Sequence, residues 1–253
     1  MDLYIIIFFI LGTVLGSFYA VVGYRLPKNE SIIKPKHSYC DNCHKKLSWY
    51  ELIPIISYIV QLGKCRNCKQ KIPVMLPFIE LITGALFAVS YYSFGISYDL
   101  VIALTLVSLF SIVIVSDLTY MIIPDEVTYT CAIIIAITNF LNLGLKDGLI
   151  QLGSGVLTFM AMYLIMLLGN AMFKKESLGG ADIKLMLVAG LALQPILGLM
   201  VIFISSAIAL PASILVYVTS REHILPFGPF IVASILLFFL LKIDINTFTG
   251  LLH

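Results

Sequence analysis

In so apolar a chain, two aspartates need a chemical reason. Asp117 follows the run SIVIVS, and Asp182 stands between Gly179-Gly180-Ala181 and the run IKLMLVAG. An ionisable group in or beside a membrane span is costly and marks function by default. Two carboxyls held close together cannot both ionise, so such a pair shares a proton. One carboxylate then activates a water while the other carboxyl protonates a carbonyl or a leaving amine, the acid–base logic of aspartic proteolysis. The small residues Gly179, Gly180 and Ala181 let an extended backbone approach closely. Taken singly, Glu80, Asp117, Asp125 and Asp182 each read equally well as interfacial residues reaching headgroups or water, and Glu126, beside a charged loop, reads better so. Pairing sets Asp117 and Asp182 apart.

A second cluster suggests metal chemistry. Cys40, Cys43, Cys65 and Cys68 form two CxxC turns separated by 21 residues, and each half reads C-x-N-C-x-x-K followed by Leu47 or Ile72. One CxxC turn offers two thiolates to a tetrahedral ion, and two turns close a four-thiolate zinc site. The spacer is one residue beyond the usual zinc range. Reduced cytoplasmic thiols argue against a disulfide framework, leaving a redox pair or unliganded cysteines as the alternatives. A closed site of this kind is structural, folding a loop too small to bury a core of its own. Cys131 stands alone in an apolar run and reads as a small buried hydrophobe.

The elements that must position these groups are membrane helices. Of 253 residues, 60% are hydrophobic and only 12% charged, against about 45–50% and about 25% in soluble domains. Spans of roughly 20 apolar residues are expected at 3–23, 74–92, 99–116, 126–144, 148–172, 182–194, 196–218 and 225–242. The sixth is short, and Gln194-Pro195 must turn tightly after it. The fold expected is an all-α polytopic membrane protein of about eight transmembrane helices with a small cytoplasmic zinc-knuckle loop. Its parts would be a first helix at 1–23, the cysteine loop at 24–73 and a transmembrane core at 74–253. The N-terminal run lacks a basic n-region and carries Asp2, so it reads as a retained span rather than a cleaved signal.

Basic residues set the orientation. Ten of the sixteen Lys and Arg residues lie between Arg25 and Lys71. With the N-terminus outside, fourteen fall on inner segments (24–73, 117–125, 173–181 with Lys184, and 219–224) and two, Lys146 and Lys242, on outer ones. Both termini are therefore expected outside, with the cysteine loop cytoplasmic. Asp117 and Asp182, 65 residues apart in sequence, then lie at the same membrane depth at inner helix ends. Asp125, after Pro124, reads first as a helix N-cap and second as a substrate or water contact. Glu80 lies about two turns into the second span. It would pair there with a buried donor. Lys184 would tune a neighbouring carboxylate or reach to the interface.

These motifs together resemble the type IV prepilin peptidases. GSFYAVVGYRLP (16–27), CDNCHKKLSWYELIPIISY (40–58), KCRNCKQKI, PFIELITGALF (77–87), SDLTYMIIPDEVT (116–128), GGADIKL (179–185) and LPFGPFIVAS (225–234) are each similar to that family's segments, in its order. The resemblance implies a GxGD-type intramembrane aspartyl protease in a bacterial cytoplasmic membrane. Such an enzyme cuts the leader of prepilin or pseudopilin precursors after a glycine, on the cytoplasmic face. It also implies catalytic roles for Asp117 and Asp182. N-methylation of the new N-terminus from S-adenosylmethionine is implied as well, although no glycine-rich nucleotide-binding βαβ unit is visible. Glu80 would then bind the precursor's N-terminus or the methyl-transfer site, as equal alternatives to pairing with a buried donor. The chain departs from the strict motif at Ala181, where the family has glycine. The bilayer and precursor proteins are the expected partners, and no nucleic acid. A proton-coupled transporter would need polar residues across several spans, yet the outer halves are almost wholly apolar. A non-enzymatic assembly scaffold would tolerate loss of both aspartates.

Overall fold

The computed structural model describes residues 2–33, 37–40, 42–174, 179–219 and 225–243. The expected inner segment 219–224 lies almost wholly outside the described residues, as do part of 173–181 and the C-terminal His253. The chain forms two compact units, Met1–Gly95 and Ile96–His253.

In the first unit, α1 (Asp2–Arg25) pairs with α3 (Met75–Phe94). Small residues allow the two backbones to meet. A Cβ added at Gly12 would lie 2.8 Å from the Gly84 Cα, and one at Gly16 would lie 3.0 Å from the Glu80 Cα. Gly12 and Gly16 form a G-x-x-x-G step, the spacing that lets membrane helices pack closely. Between α1 and α3 run the two cysteine turns, a one-turn 3-10 helix at Trp49–Glu51 and the short α2 (Ile56–Val60). Ser48 and Glu51 form a capping box at that turn, which gives the buried Glu51 its partner.

The second unit is built around α4 (Tyr98–Tyr120), whose Ser97 N-cap accepts the Leu100 amide at 3.2 Å. Of its most apolar stretch, 78% is buried. The next helix, α5 (Asp125–Phe173), would run about 74 Å if straight at 1.5 Å per residue, more than twice the roughly 30 Å hydrocarbon core. It breaks at Gly144, where φ is 80° and ψ −178°, a conformation open to glycine. The two halves match the separate spans expected at 126–144 and 148–172.

The short sixth span is α6 (Gly180–Ala192), and α7 (Pro195–Thr219) starts at the proline expected to follow the tight turn. The α5 helix explains how so short a helix ends inside apolar packing. Asn139 donates to the Leu191 carbonyl at 2.8 Å, Gln151 to Leu191 at 3.1 Å and Leu193 at 2.8 Å, and Thr158 to Met186 at 2.9 Å. The Asn139 and Gln151 bonds satisfy carbonyls that a helix end leaves free, and the Thr158 bond ties α5 to the middle of α6. The last helix, α8 (Gly228–Leu240), packs on α4, α6 and α7.

Among the described residues, five helices are long and apolar enough to cross a membrane, counting α5 once, and α8 is a shorter apolar helix. With α5 divided at Gly144 and α6 included, the helices follow the eight expected segments. The described structure is all-α, with only two isolated bridges, Tyr39 with Lys46 and Lys64 with Lys71.

Candidate active site and metal centre

Asp117 lies in the last turn of α4 and is 6% exposed. A carboxylate so deeply packed needs a donor, and its Oδ2 accepts the Gly228 amide at 3.1 Å. That amide opens α8, so the carboxylate occupies the positive end of a helix whose first N–H groups lack intrahelical partners. Glycine is required for this approach. A Cβ at residue 228 would stand 2.8 Å from Asp117 Oδ2 and 2.5 Å from the Ile123 side chain.

Asp182 lies in the first turn of α6, again at a helix N-terminus, with Gly179 as N-cap. A Cβ at Gly179 would come within 3.1 Å of Asp182 Oδ2, so the small residue leaves the carboxylate room to fold back over the cap. Asp117 and Asp182 lie within electrostatic reach of each other. Ala181 is helical and absent from the residues with positive φ. The methyl group that replaces the motif glycine is therefore tolerated without backbone strain. Gly180 is exposed, with open space where a side chain would stand.

One supporting residue falls differently from expectation, and another on one of its expected alternatives. Pro124, not Asp125, occupies the N-cap of α5 (φ −64°, ψ 126°), and no side chain caps the helix. Asp125 is the first helical residue, and its carboxylate receives Lys184 Nζ at 2.6 Å on both oxygens. This ion pair ties the start of α5 to the start of α6. Glu80 belongs to the first unit. It is buried, and its Oε2 accepts the Ile55 amide at 2.7 Å while the Ser17 hydroxyl also bonds to it. The buried-donor alternative thus has a named donor. Gly228 is the residue that sequence reasoning missed. Its signal was the Gly228-Pro229 step, but the partner lay 111 positions away.

The cysteine turns converge. The Sγ atoms of Cys40, Cys43, Cys65 and Cys68 all lie within 4.8 Å of one another, and Cys40 and Cys68 are 3.7 Å apart. A tetrahedron of sulfurs about 2.3 Å from a central ion has edges of about 3.8 Å, so this donor set fits a metal ion. The turns are structural twins. His44 N–H bonds to Cys40 O and Lys69 N–H to Cys65 O, with φ of 52° at His44 and 62° at Lys69. The four thiols are not alike. At Cys40 the Cys43 amide lowers the thiol, but burial and the neighbouring Cys65 and Cys43 thiols outweigh it and push it up to about 11. Donors at two other sulfurs favour the thiolate. The Lys45 amide, followed by Asn67, brings the Cys43 thiol down to about 6, and the Cys68 and Asn67 amides lower that of Cys65. Cys131 is buried in α5, as expected of a small hydrophobe.

Comparison with known proteins agrees with this anatomy. The model of the bacterial peptidase A24 N-terminal domain matches residues 10–94, and that of the type IV leader peptidase family matches residues 104–214. A prepilin leader peptidase/N-methyltransferase of Bacillus subtilis is 35% identical over 96% of both chains. This chain belongs to the type IV leader peptidase family. Proteins of the same name from Vibrio cholerae and Neisseria gonorrhoeae are each 30% identical, covering 93% and 89% of this chain and 96% and 86% of their own. No solved structure matches the chain. The family is one of enzymes, and the apolar helices make this member a multi-pass membrane protein.

Proposed function

We propose that this family member is an intramembrane aspartic endopeptidase that removes the leader of type IV prepilin-like precursors. In this reading Asp117 and Asp182 are the catalytic pair. The observation that carries it is the convergence of two carboxyls at helix ends of one unit, Asp117 held by the Gly228 amide and Asp182 within electrostatic reach. A proton shared between them leaves one carboxylate to take a proton from water as its oxygen attacks the scissile carbonyl. The other carboxyl protonates the carbonyl oxygen, and the proton then passes to the leaving amine as the C–N bond breaks. Gly179, Gly180 and Ala181 leave space beside Asp182 for an extended backbone. Lys184 and Asp125 support the site by fixing α6 against α5.

The relatives' name includes N-methyltransferase, and we extend that activity to this chain, acting on the new N-terminus with S-adenosylmethionine as methyl donor. Among the described residues no strand-based nucleotide cradle is present, so no residue is assigned to the donor and no step is routed through it. The metal is proposed to be zinc, held by Cys40, Cys43, Cys65 and Cys68, and its contribution is to fold the loop. The basic residues of 24–73 support a cytoplasmic loop in a bacterial plasma membrane. A topology reporter fused within 24–73 that reads outside would overturn that orientation. Co-expression with a candidate precursor tests the function, reading leader removal and N-terminal mass together. An intact precursor beside folded, membrane-inserted enzyme would refute the peptidase, and cleavage without a mass gain would refute the methyl transfer.

A further inference from the structure

The segment between the two cysteine turns leaves apolar side chains uncovered. Trp49 is 77% exposed, Ile59 63% and Leu62 84%, with Ile56 and Val60 also exposed. Ile56, Ile59 and Val60 stand at i, i+3 and i+4, so they form one stripe along α2. In water such a stripe would forgo about 25 cal/mol for each Å² left unburied.

Three observations say what covers it. The first is depth. Glu80 lies five residues into the apolar α3, about 7.5 Å from its start at 1.5 Å per residue, and its carboxylate grips the Ile55 amide at the start of α2. The stripe is thereby held level with the second turn of a membrane helix, within the roughly 5–10 Å at which interfacial helices ride. Ile55 holds this pose at φ 63°, unusual for a β-branched residue. The second is continuity, because Leu52 lines a cavity together with Ser17, Phe18, Val21 and Arg25 of α1. The segment therefore runs alongside one membrane helix and is pinned to another. The third is charge. Lys64, Arg66, Lys69 and Lys71 of the second cysteine turn are all exposed. Arg66 stacks 5.1 Å from the Tyr50 ring centroid, and Tyr50 meets Trp49 edge-on at 5.8 Å. Exposed cations beside an aromatic pair and an aliphatic stripe are the composition of a lipid headgroup boundary.

We propose that residues 49–62 lie in the bilayer interface, with Trp49, Ile56, Ile59, Val60 and Leu62 inserted among the upper acyl chains. The adjacent basic residues contact anionic headgroups. The cysteine-bearing loop is thus seated on the membrane at a fixed depth instead of projecting into water.

Trp49 is the only tryptophan of the chain, so the full-length protein carries its own probe. It is reconstituted into vesicles of phosphatidylethanolamine and phosphatidylglycerol, with or without lipid brominated high on the acyl chain, and its emission is titrated with iodide. The expected result is blue-shifted emission that loses most of its intensity in the brominated vesicles. Quenching by iodide with no loss in brominated lipid would place Trp49 in water and overturn the proposal. Quenching by neither would mean that protein covers the stripe, in this chain or a second copy, and would overturn it equally. In the variant Ile59→Asp with Leu62→Asp, the bromolipid loss should fall several-fold while bound metal stays at the wild-type level. Undiminished bromolipid quenching in that variant would show that the stripe does not hold Trp49 in lipid.

Discussion

The cysteine centre and the aspartate centre are built at different scales of the chain. Each cysteine turn closes on itself, with His44 bonded back to Cys40 and Lys69 back to Cys65, and the two are copies of one pattern. The aspartate centre has no local closure. Asp117 takes its donor from a residue 111 positions away, and the ion pair beside Asp182 joins residues 59 apart. One centre is a folding unit that a metal completes; the other is a meeting of helix ends that the rest of the fold must already have placed. Damage to the first should loosen a loop, and damage to the second should remove chemistry while leaving the helices intact.

The largest effect tests that contrast directly. Asp117→Asn and Asp182→Asn should each lower precursor cleavage by roughly 10³-fold or more, since acid–base assistance alone is worth about 10²–10⁴. The double variant should be no worse than either single one, because the two act as a unit. Methylation of a precleaved substrate should survive both. Cleavage is to be measured in membranes holding matched amounts of each variant. Full processing by Asp182→Asn would reduce that carboxylate to an interfacial anchor and remove the contrast altogether.

Gly228→Ala comes next. The added methyl would crowd Asp117 Oδ2 and Ile123, and a displacement near 1 Å at a catalytic group costs on the order of 10² in rate. The change should appear in kcat more than in KM, with the protein inserted normally. Wild-type kcat in Gly228→Ala would show that the amide is not what holds the carboxylate in place.

Serine at Cys40, Cys43, Cys65 or Cys68 should act oppositely. Metal content should fall from about one ion per chain toward none, and the loop should become sensitive to protease while some cleavage activity remains. Elemental analysis beside limited proteolysis reads both. Full metal content in Cys65→Ser would break the four-thiolate assignment.

What could be read from the chain beforehand follows the same division. The cysteine turns and the apolar spans are short-range patterns, and the structure keeps them nearly residue for residue. Even the brevity of α6 was visible in the distance between Asp182 and Pro195. Its cause was not, because Asn139 and Gln151 sit on another helix and only three-dimensional packing brings them to its last carbonyls. The G-x-x-x-G step at Gly12 and Gly16 is a short-range pattern of the same kind as the cysteine turns. Asp125 was misplaced for a physical reason: Pro124 itself adopts extended cap geometry, which moves the aspartate one residue into the helix and frees its side chain for Lys184. The long α1 to α3 pairing also draws the second span into the same compact unit as the cysteine loop.

The Asp125–Lys184 pair should give the smallest effect and draw the finest line between support and chemistry. Both oxygens of Asp125 receive the ammonium at 2.6 Å, yet the side chains are 52% and 29% exposed. Water screens such a pair, and exposed ion pairs contribute about 0.2–1 kcal/mol. The partner charges also lie near helix starts, where the acid is favoured and the base is not, so their contributions to stability are unequal. A double-mutant cycle with Asp125→Asn and Lys184→Gln isolates the coupling from these separate effects. Thermal unfolding in detergent should return a coupling below about 1 kcal/mol, and cleavage should fall only a few-fold in either variant. If Asp125→Asn instead loses cleavage as completely as Asp117→Asn with its stability unchanged, Asp125 belongs to the reacting pair. The boundary drawn between the carboxyls that react and the one that braces two helices would then have to move.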